Sequence, residues 1–222
     1  MTDMFLPGVP EMRLRSILEK AGGNEIASGK FASPESSAAL AANGFGWFLE
    51  RPAVLPPFPG LQELDWPALR VDVERQMRFP WRGGRHPWLD AAMETETHHD
   101  RRGIEAIRAI PCQQAGETVG CLRRAPRRFR HLDGAQLVKH AFGIATEAAR
   151  VGKAPVLLYV FAEPPRVPPR RFSAHRAEIA AFAAEVAGAR VRFHACSWRE
   201  WIGTWPDDLA GQAAAIEEAF AP

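Results

Sequence analysis

The chain has 222 residues, 46% hydrophobic and 24% charged, a composition typical of one globular domain. Its net charge of +2 excludes a strongly basic, histone-like binder, so any contact with nucleic acid must come from a local patch. The longest apolar run, Val156 to Ala162, is too short to span a membrane, and the N-terminus lacks the order of a signal peptide. Cys112, Cys121 and Cys196 form no CxxC pair and no disulfide framework. We therefore expect a cytoplasmic protein whose residues 1–222 form a single domain.

The first half of the chain predicts two helices followed by two strands. The first helix covers residues 11–21. The second begins at Ser33 as N-cap, with Pro34 in its first turn, and runs towards Phe48. A Pro-rich connector occupies residues 51–60. Alternating apolar residues then predict a half-buried strand, and residues 88–96 predict a second one after a Gly-rich turn. The alternating residues are Leu69, Val71, Val73, Met77 and Phe79, with Arg75 as the one break.

The second half alternates between helices and strands. A helix is predicted from Asp133, its cap, to about Arg150, with Gly152 after its end. The apolar run 155–161 predicts a strand buried on both faces. A helix over 173–187, a strand over 191–195 and a helix over 206–220 complete the chain. This order predicts an α/β fold with a mixed sheet flanked by helices.

The residues of segment 98–130 show neither the 3.6-residue period of a helix nor the two-residue period of a strand. They contain eight of the chain's 24 arginines, and they stand where a sheet protein would return with another strand. One interpretation is a long basic loop, which is uncommon inside a compact domain. The other is a frameshift, because a one-base shift after Thr97 permits the string TTIGVESKRFEPYR. That reading requires GGA at Gly103, GAA at Glu105 and ATA at Ile110.

Two clusters of acidic and histidine residues near the middle of the chain could hold a metal ion. His98, His99 and Asp100 are residue types that bind zinc or manganese, although adjacent residues of a strand point to opposite faces. A loop or an out-of-frame stretch is the plainer interpretation of that cluster. Asp90, Glu94 and Glu96 would share one face of the second strand. They are either a solvated face or a site for a hard cation, which prefers oxygen ligands.

The helix that begins after Asp133 carries a polar stripe. Gln136, Lys139, His140 and Gly143 recur at helical spacing and predict either a solvated face or a helix edge that borders the acidic strand, with Lys139 near a phosphate. Elsewhere, the glycines around Phe45 and the tryptophans Trp198, Trp201 and Trp205 are interpreted as packing residues of the core.

The order of these motifs resembles the PD-(D/E)XK superfamily, the restriction-endonuclease-like nucleases. The resemblance rests on GKF at 29–31, FPW at 79–81, PWLD at 87–90, QLVKHAFG at 136–143 and AEP at 162–164. It implies an α-β-β-β-α-β core, whose third strand would come from residues 98–110.

The resemblance also implies a function and a site. It implies a Mg²⁺-dependent DNA endonuclease whose partner is DNA. It leaves open whether the protein forms a homodimer. The implied catalytic residues are Asp90, Glu25, Glu105 and Gln136. The implied metal ligands are Asp90, Glu94 and Glu105. The implied nucleic-acid contacts are Lys139, His140 and Lys30.

The sequence as written departs from the superfamily at one decisive position. The Glu-x-Lys strand appears only in the shifted frame, as Glu-Ser-Lys across the codons of Gly103 to Ala106. In the given frame Glu105 is followed two residues later by Ile107. The alternatives are therefore an inactivated member of the superfamily or a non-catalytic nucleic-acid-binding or assembly module with the same fold.

Overall fold

A computed structural model describes residues 5–21, 25–33, 35–78, 86–96 and 129–222. Within these ranges the chain forms six helices and four strands. The helices are α1 (Glu11–Lys20), α2 (Ser37–Gly46), α3 (Gly134–Val151), α4 (Pro169–Glu185), α5 (Trp198–Ile202) and α6 (Ala210–Phe220). The strands are β1 (Ala68–Gln76), β2 (Trp88–Thr95), β3 (Val156–Phe161) and β4 (Arg192–Ser197). The predicted α/β class is confirmed.

The second helix begins later than its sequence predicts. The hydroxyl of Ser36, not that of Ser33, accepts the N-terminal capping bond, from the backbone N–H of Ala39 at 3.1 Å. The Ser33 hydroxyl accepts from Glu35 in the turn before the helix. The predicted cap at Ser33 is therefore wrong, because Ser36 reaches the first free N–H groups of the helix.

Strands β1 and β2 form an antiparallel hairpin in the register that pairs Val71 with Met93 and Val73 with Ala91. A bulge between Ala68 and Arg70 shifts the alternation by one residue. Leu69, predicted to face the core, is for this reason 55% exposed. Val71, Val73 and the following Met77 are buried as predicted.

Strands β3 and β4 pair in parallel and are connected by α4. The side chain of Asp133 caps α3 by accepting from the backbone N–H of Gln136, and Gly152 ends the helix in the left-handed conformation. Both signals match the sequence prediction. Leu137 and Ala148 are buried on the predicted apolar stripe of this helix.

The core is formed by two hydrophobic clusters. The larger joins α1, α2 and the hairpin to Trp198 and Trp201, and the smaller joins α3 and α4 to β3 and β4. Trp201 is fully buried and stacks on Phe58, with ring centroids 4.4 Å apart. A Cβ on Gly44 would lie 2.5 Å from the ring of Trp198, so this glycine permits the helix to approach the indole.

The sheet differs from the prediction of one mixed sheet. Among the described residues, β1 and β2 form one two-stranded sheet and β3 and β4 form another. The predicted strand at 98–110 lies outside the described residues, and the single domain stays a prediction. No helix in the described part of the chain has the length and apolar character needed to cross a membrane.

Candidate functional site

A cavity of about 720 Å³ separates the two small sheets. Residues of β2 and β3 line it from opposite sides, and residues of α2 and α3 line it from the two hydrophobic clusters. Asp90, Glu94, Gln136 and His140 all line this cavity. The structure thus brings four of the predicted site residues to one place.

Two carboxylates face each other across the hairpin. Glu74 of β1 and Asp90 of β2 occupy facing positions, with paired residues on either side of them. Burial raises the pKa of Glu74 to about 7, and the negative charges of Asp90 and Glu25 add to this effect. Burial also raises the pKa of Asp90, because neighbouring protein atoms surround its carboxyl group. Part of the residue is nevertheless exposed to solvent. We call Glu74, Asp90 and Glu25 the acidic end; Asp90 lines the cavity, whereas Glu74 and Glu25 are not among its lining residues and are linked to it through charge.

Glu74 was not predicted as a site residue. Its backbone adopts a φ of +51°, a conformation that non-glycine residues rarely take and that usually carries strain. Its neighbour Arg75 donates to Asp72 at 2.9 Å, and Arg70 donates to the same carboxylate. The sequence signal was present at Arg75, because a basic residue breaks the apolar alternation at that point.

Glu94 lies at the other end of β2. Its carboxylate accepts from Nζ of Lys153 at 3.2 Å, and the same ammonium donates to the backbone carbonyl of Thr95 at 2.9 Å. Glu94 is four positions after Asp90, which is about 13 Å along a strand. Glu94 stays a predicted metal ligand, and its observed partner is Lys153, which connects β2 to the start of β3.

The first turns of α3 form the polar part of the cavity wall. Burial lowers the pKa of His140; nearby Lys139 lowers it further, and Asp133 opposes the change. Burial and the charge of Asp133 raise the pKa of Tyr159, whose hydroxyl lies 3.1 Å from Nε2 of His175. Tyr159 also lines the cavity and was not predicted as a site residue.

Gly143 extends the predicted polar stripe but is a packing residue. A Cβ at this position would lie 2.5 Å from Cβ of Met77 and 3.4 Å from Cγ of Pro87. The glycine therefore permits α3 to approach the end of the hairpin at which β1 ends and β2 begins. This contact holds the helix turn that carries His140 beside the start of β2.

The remaining predicted residues differ in their placement. Lys139 and Lys30 are exposed to solvent, as expected for contacts with a phosphate backbone. Glu25 is half-buried, and its charge reaches Glu74. Glu105 and the cluster of His98, His99 and Asp100 lie outside the described residues.

The acidic end offers oxygen ligands of the kind that Mg²⁺ prefers. The carboxyl groups of Glu74 and Asp90 both have raised pKa values. A divalent cation bound between them would relieve the repulsion between their charged forms. Within the described ranges, no three His, Cys, Asp or Glu side chains converge closely enough to hold a metal ion. The residues present therefore fit part of a magnesium site.

No family model, no curated protein and no solved structure matches this chain.

Proposed function

We propose that the protein is a Mg²⁺-dependent DNA endonuclease with a restriction-endonuclease-like core. The observation that carries this proposal is the acidic end, where Glu74 faces Asp90 of the cavity wall and the pKa of Glu74 rises to about 7. A half-buried carboxyl group whose pKa is raised by burial and by neighbouring negative charges is typical of functional sites, because ordinary stability favours separating such groups.

The proposed fold joins the two small sheets into one mixed sheet. In the α-β-β-β-α-β order, the predicted strand at 98–110 would stand between β2 and β3. The cavity lies between those two strands, and its walls come from helices on both sides of the sheets. This placement supports the proposed core.

In the proposed mechanism, Asp90 and Glu74 would hold a Mg²⁺ ion and Glu25 would add negative charge beside them. The chemistry supplied by such an ion would be neutralisation of the phosphodiester charge and acidification of a water molecule. The imidazole of His140 has a lowered pKa, so it is neutral near pH 7 and can accept a proton. The side chain of Gln136 lines the same cavity and can donate to a phosphate oxygen.

The test is the Mg²⁺-dependent nicking of supercoiled plasmid. Wild-type protein should nick DNA with Mg²⁺ and not with EDTA, and both Asp90→Asn and Glu74→Gln should reduce nicking to the EDTA level. Glu96→Gln, at an exposed position beyond the end of β2, is the matched control and should leave nicking unchanged. Nicking that survives Asp90→Asn would overturn the site assignment.

A non-catalytic nucleic-acid-binding or assembly module is the second candidate. Ile107 stands where the superfamily pattern has lysine, which favours this candidate for the chain as written. It predicts that the protein retards DNA in a gel without nicking it and that Asp90→Asn leaves this retardation unchanged.

A further inference from the structure

The segment that leads from β3 into α4 concentrates positive charge. Residues 164–177 contain four arginines and no aspartate or glutamate, whereas the whole chain has a net charge of only +2. Arg166, Arg170 and Arg171 are exposed to solvent, and so is the nearby Ser173. We call these four residues the arginine surface. It is a local patch of the kind that a chain with so small a net charge needs for contact with nucleic acid.

The arginine surface differs from Arg176, the fourth arginine of the segment, in how its charge is compensated. Arg176 donates to both carboxylate oxygens of Glu163, at 2.7 and 2.8 Å, and to Glu200 at 2.9 Å. Arg166 has one carboxylate partner, Glu35, at 3.2 Å, and the two side chains are 45% and 69% exposed. Exposed ion pairs of this kind contribute little to stability, so Arg166 can exchange its partner.

Arg170 and Arg171 form no ion pair with any residue that the structure describes. They occupy the second and third positions of α4, and the first turn of that helix contains no acidic residue. The helix macrodipole disfavours cations at this end, so the two arginines oppose the stability of α4. Charges that lower stability and lack a partner within the described fold are suited to a partner outside it.

The side chains of this surface fit a phosphate backbone. Guanidinium groups bind phosphate through paired hydrogen bonds, and serine hydroxyls are frequent additional donors. Arg170 and Ser173 are three positions apart in the helix, which places their Cβ atoms about 5–6 Å apart on one face. The Ser173 hydroxyl donates to the backbone carbonyl of Pro169 at 3.3 Å, a long hydrogen bond that a phosphate oxygen could replace.

The rest of the exposed face of α4 carries only small side chains. Ala177, Ala180 and Ala184 continue it at helical spacing, and Phe172 is half-buried. Within α4 there is therefore no exposed aromatic ring on which the bases of a single strand would stack. The helix also lacks exposed large apolar side chains, which an interfacial helix inserts into a membrane. Double-stranded DNA, contacted through its phosphates, is the partner that this surface fits.

We propose that the arginine surface binds the phosphate backbone of double-stranded DNA without contacting the bases. Arg170 and Arg171 each neutralise one phosphate, and Ser173 assists Arg170. Arg166 exchanges Glu35 for a phosphate at the edge of the surface. The choice of DNA rests on the proposed function; the place of the contact does not. Binding of this kind is independent of base sequence and weakens steeply as salt is added.

The test measures the binding of the full chain to a fluorescein-labelled DNA duplex by anisotropy, in EDTA, over a range of salt concentrations. Each phosphate contact contributes about 0.9 to the slope of log affinity against log salt concentration. The double variant Arg170→Gln, Arg171→Gln should therefore reduce this slope by about 2 and weaken binding about tenfold or more at low salt. Arg170→Lys with Arg171→Lys keeps both charges and should keep the slope.

Arg190→Gln is the matched control for each single substitution. Arg190 is exposed just before β4, and the 17 residues of α4 place it about 25 Å from Arg170. The control removes one positive charge and should leave the slope unchanged. Thermal unfolding should show the glutamine double variant at least as stable as wild type, because it removes cations from the helix start. A loss of binding then reports the contact and not misfolding.

Plasmid nicking with Mg²⁺ separates this inference from the proposed function. Asp90→Asn should lose nicking and keep the wild-type salt slope, whereas the glutamine double variant should need more DNA for half-maximal nicking and keep its maximal rate. Duplex binding through these arginines without nicking supports the arginine surface and contradicts the endonuclease. A wild-type slope in the glutamine double variant, an equal loss in Arg190→Gln, or binding to anionic lipid vesicles but not to the duplex would overturn the surface.

Discussion

The titration of Glu74 makes the stability of the protein depend on pH. Burial and the charges of Asp90 and Glu25 raise the pKa of this carboxyl from 4.5 to about 7 in the folded state. The folded protein therefore holds the proton more tightly than the unfolded chain does. The contribution is fully present below pH 4.5 and is lost as the pH rises to about 7.

The size of this effect follows from the shift. One pKa unit corresponds to about 1.4 kcal/mol, so the rise from 4.5 to about 7 at Glu74 corresponds to about 3.5 kcal/mol at most. Solvent still reaches this half-buried group and screens its charge. We therefore expect a measured difference in the free energy of unfolding of about 1–3 kcal/mol. Glu74→Gln keeps the shape of the protonated side chain and removes the titration. The variant should match wild type near pH 4.5 and exceed it in free energy of unfolding at pH 8.

Urea denaturation followed by circular dichroism at pH 5, 6, 7 and 8 measures this difference. Glu96→Gln removes an exposed carboxylate just beyond β2 and is the matched control. Its stability should follow that of wild type across the range. If wild type and Glu74→Gln change in parallel between pH 5 and pH 8, the assigned electrostatics of the acidic end are wrong.

Three substitutions, and a fourth as a control, test the packing that positions the site, each by urea denaturation. Gly143→Ala should lower the free energy of unfolding by about 1–3 kcal/mol, because its Cβ would meet Met77 at 2.5 Å. Gly211→Ala, in an exposed helix position with nothing within 4 Å, should instead stabilise by about 0.5–1 kcal/mol, and equal effects would contradict the close approach. Glu178→Gln should cost about 1–3 kcal/mol at pH 7, because this carboxylate accepts from the backbone N–H groups of residues 130, 131 and 132; an unchanged stability would show that these bonds contribute nothing. Asn43→Ala should cost a similar amount, since the buried amide joins the backbone of Leu6 to α2, and a neutral result would contradict that role.

Local signals in the sequence predict the elements of this fold well. Asp133 and Gly152 delimit α3 because a side-chain cap and a left-handed glycine act within a few residues of the helix ends. The apolar run at 155–161 predicts β3 for the same local reason. Ser33 misleads, because Ser33, Ser36 and Ser37 offer three capping hydroxyls within five residues and only the packed structure selects Ser36.

The bulge in β1 illustrates what the pattern does not contain. A single extra residue at Leu69 turns that side chain away from the core while Val71 and Val73 stay buried, and nothing in the alternation marks it. The facing positions of Glu74 and Asp90 depend on this register. The sequence predicts Asp90 as a site residue through its motif. It marks a break at Arg75 but not Glu74 itself, because the pKa of Glu74 is raised in part by Asp90, 16 positions away on another strand.

The cavity is likewise a tertiary feature. Asp90 and Gln136 are 46 positions apart, and only the packing of α3 over the hairpin brings both to one wall. The sequence predicted this neighbourhood through the polar stripe of the helix. It gave no indication of Lys153 or Tyr159, because their partners lie on other elements.

Mg²⁺ binding at the acidic end tests the central claim most directly. Isothermal titration calorimetry of the full chain at pH 7, repeated in buffers of different ionisation enthalpy, reports both binding and proton release. We expect one Mg²⁺ to bind and to release about half a proton, because a carboxyl with a pKa of about 7 is half protonated there. Asp90→Asn and Glu74→Gln should abolish this binding, whereas Glu96→Gln should not. Absence of Mg²⁺ binding by wild type, or binding that persists unchanged in Asp90→Asn, would contradict the account.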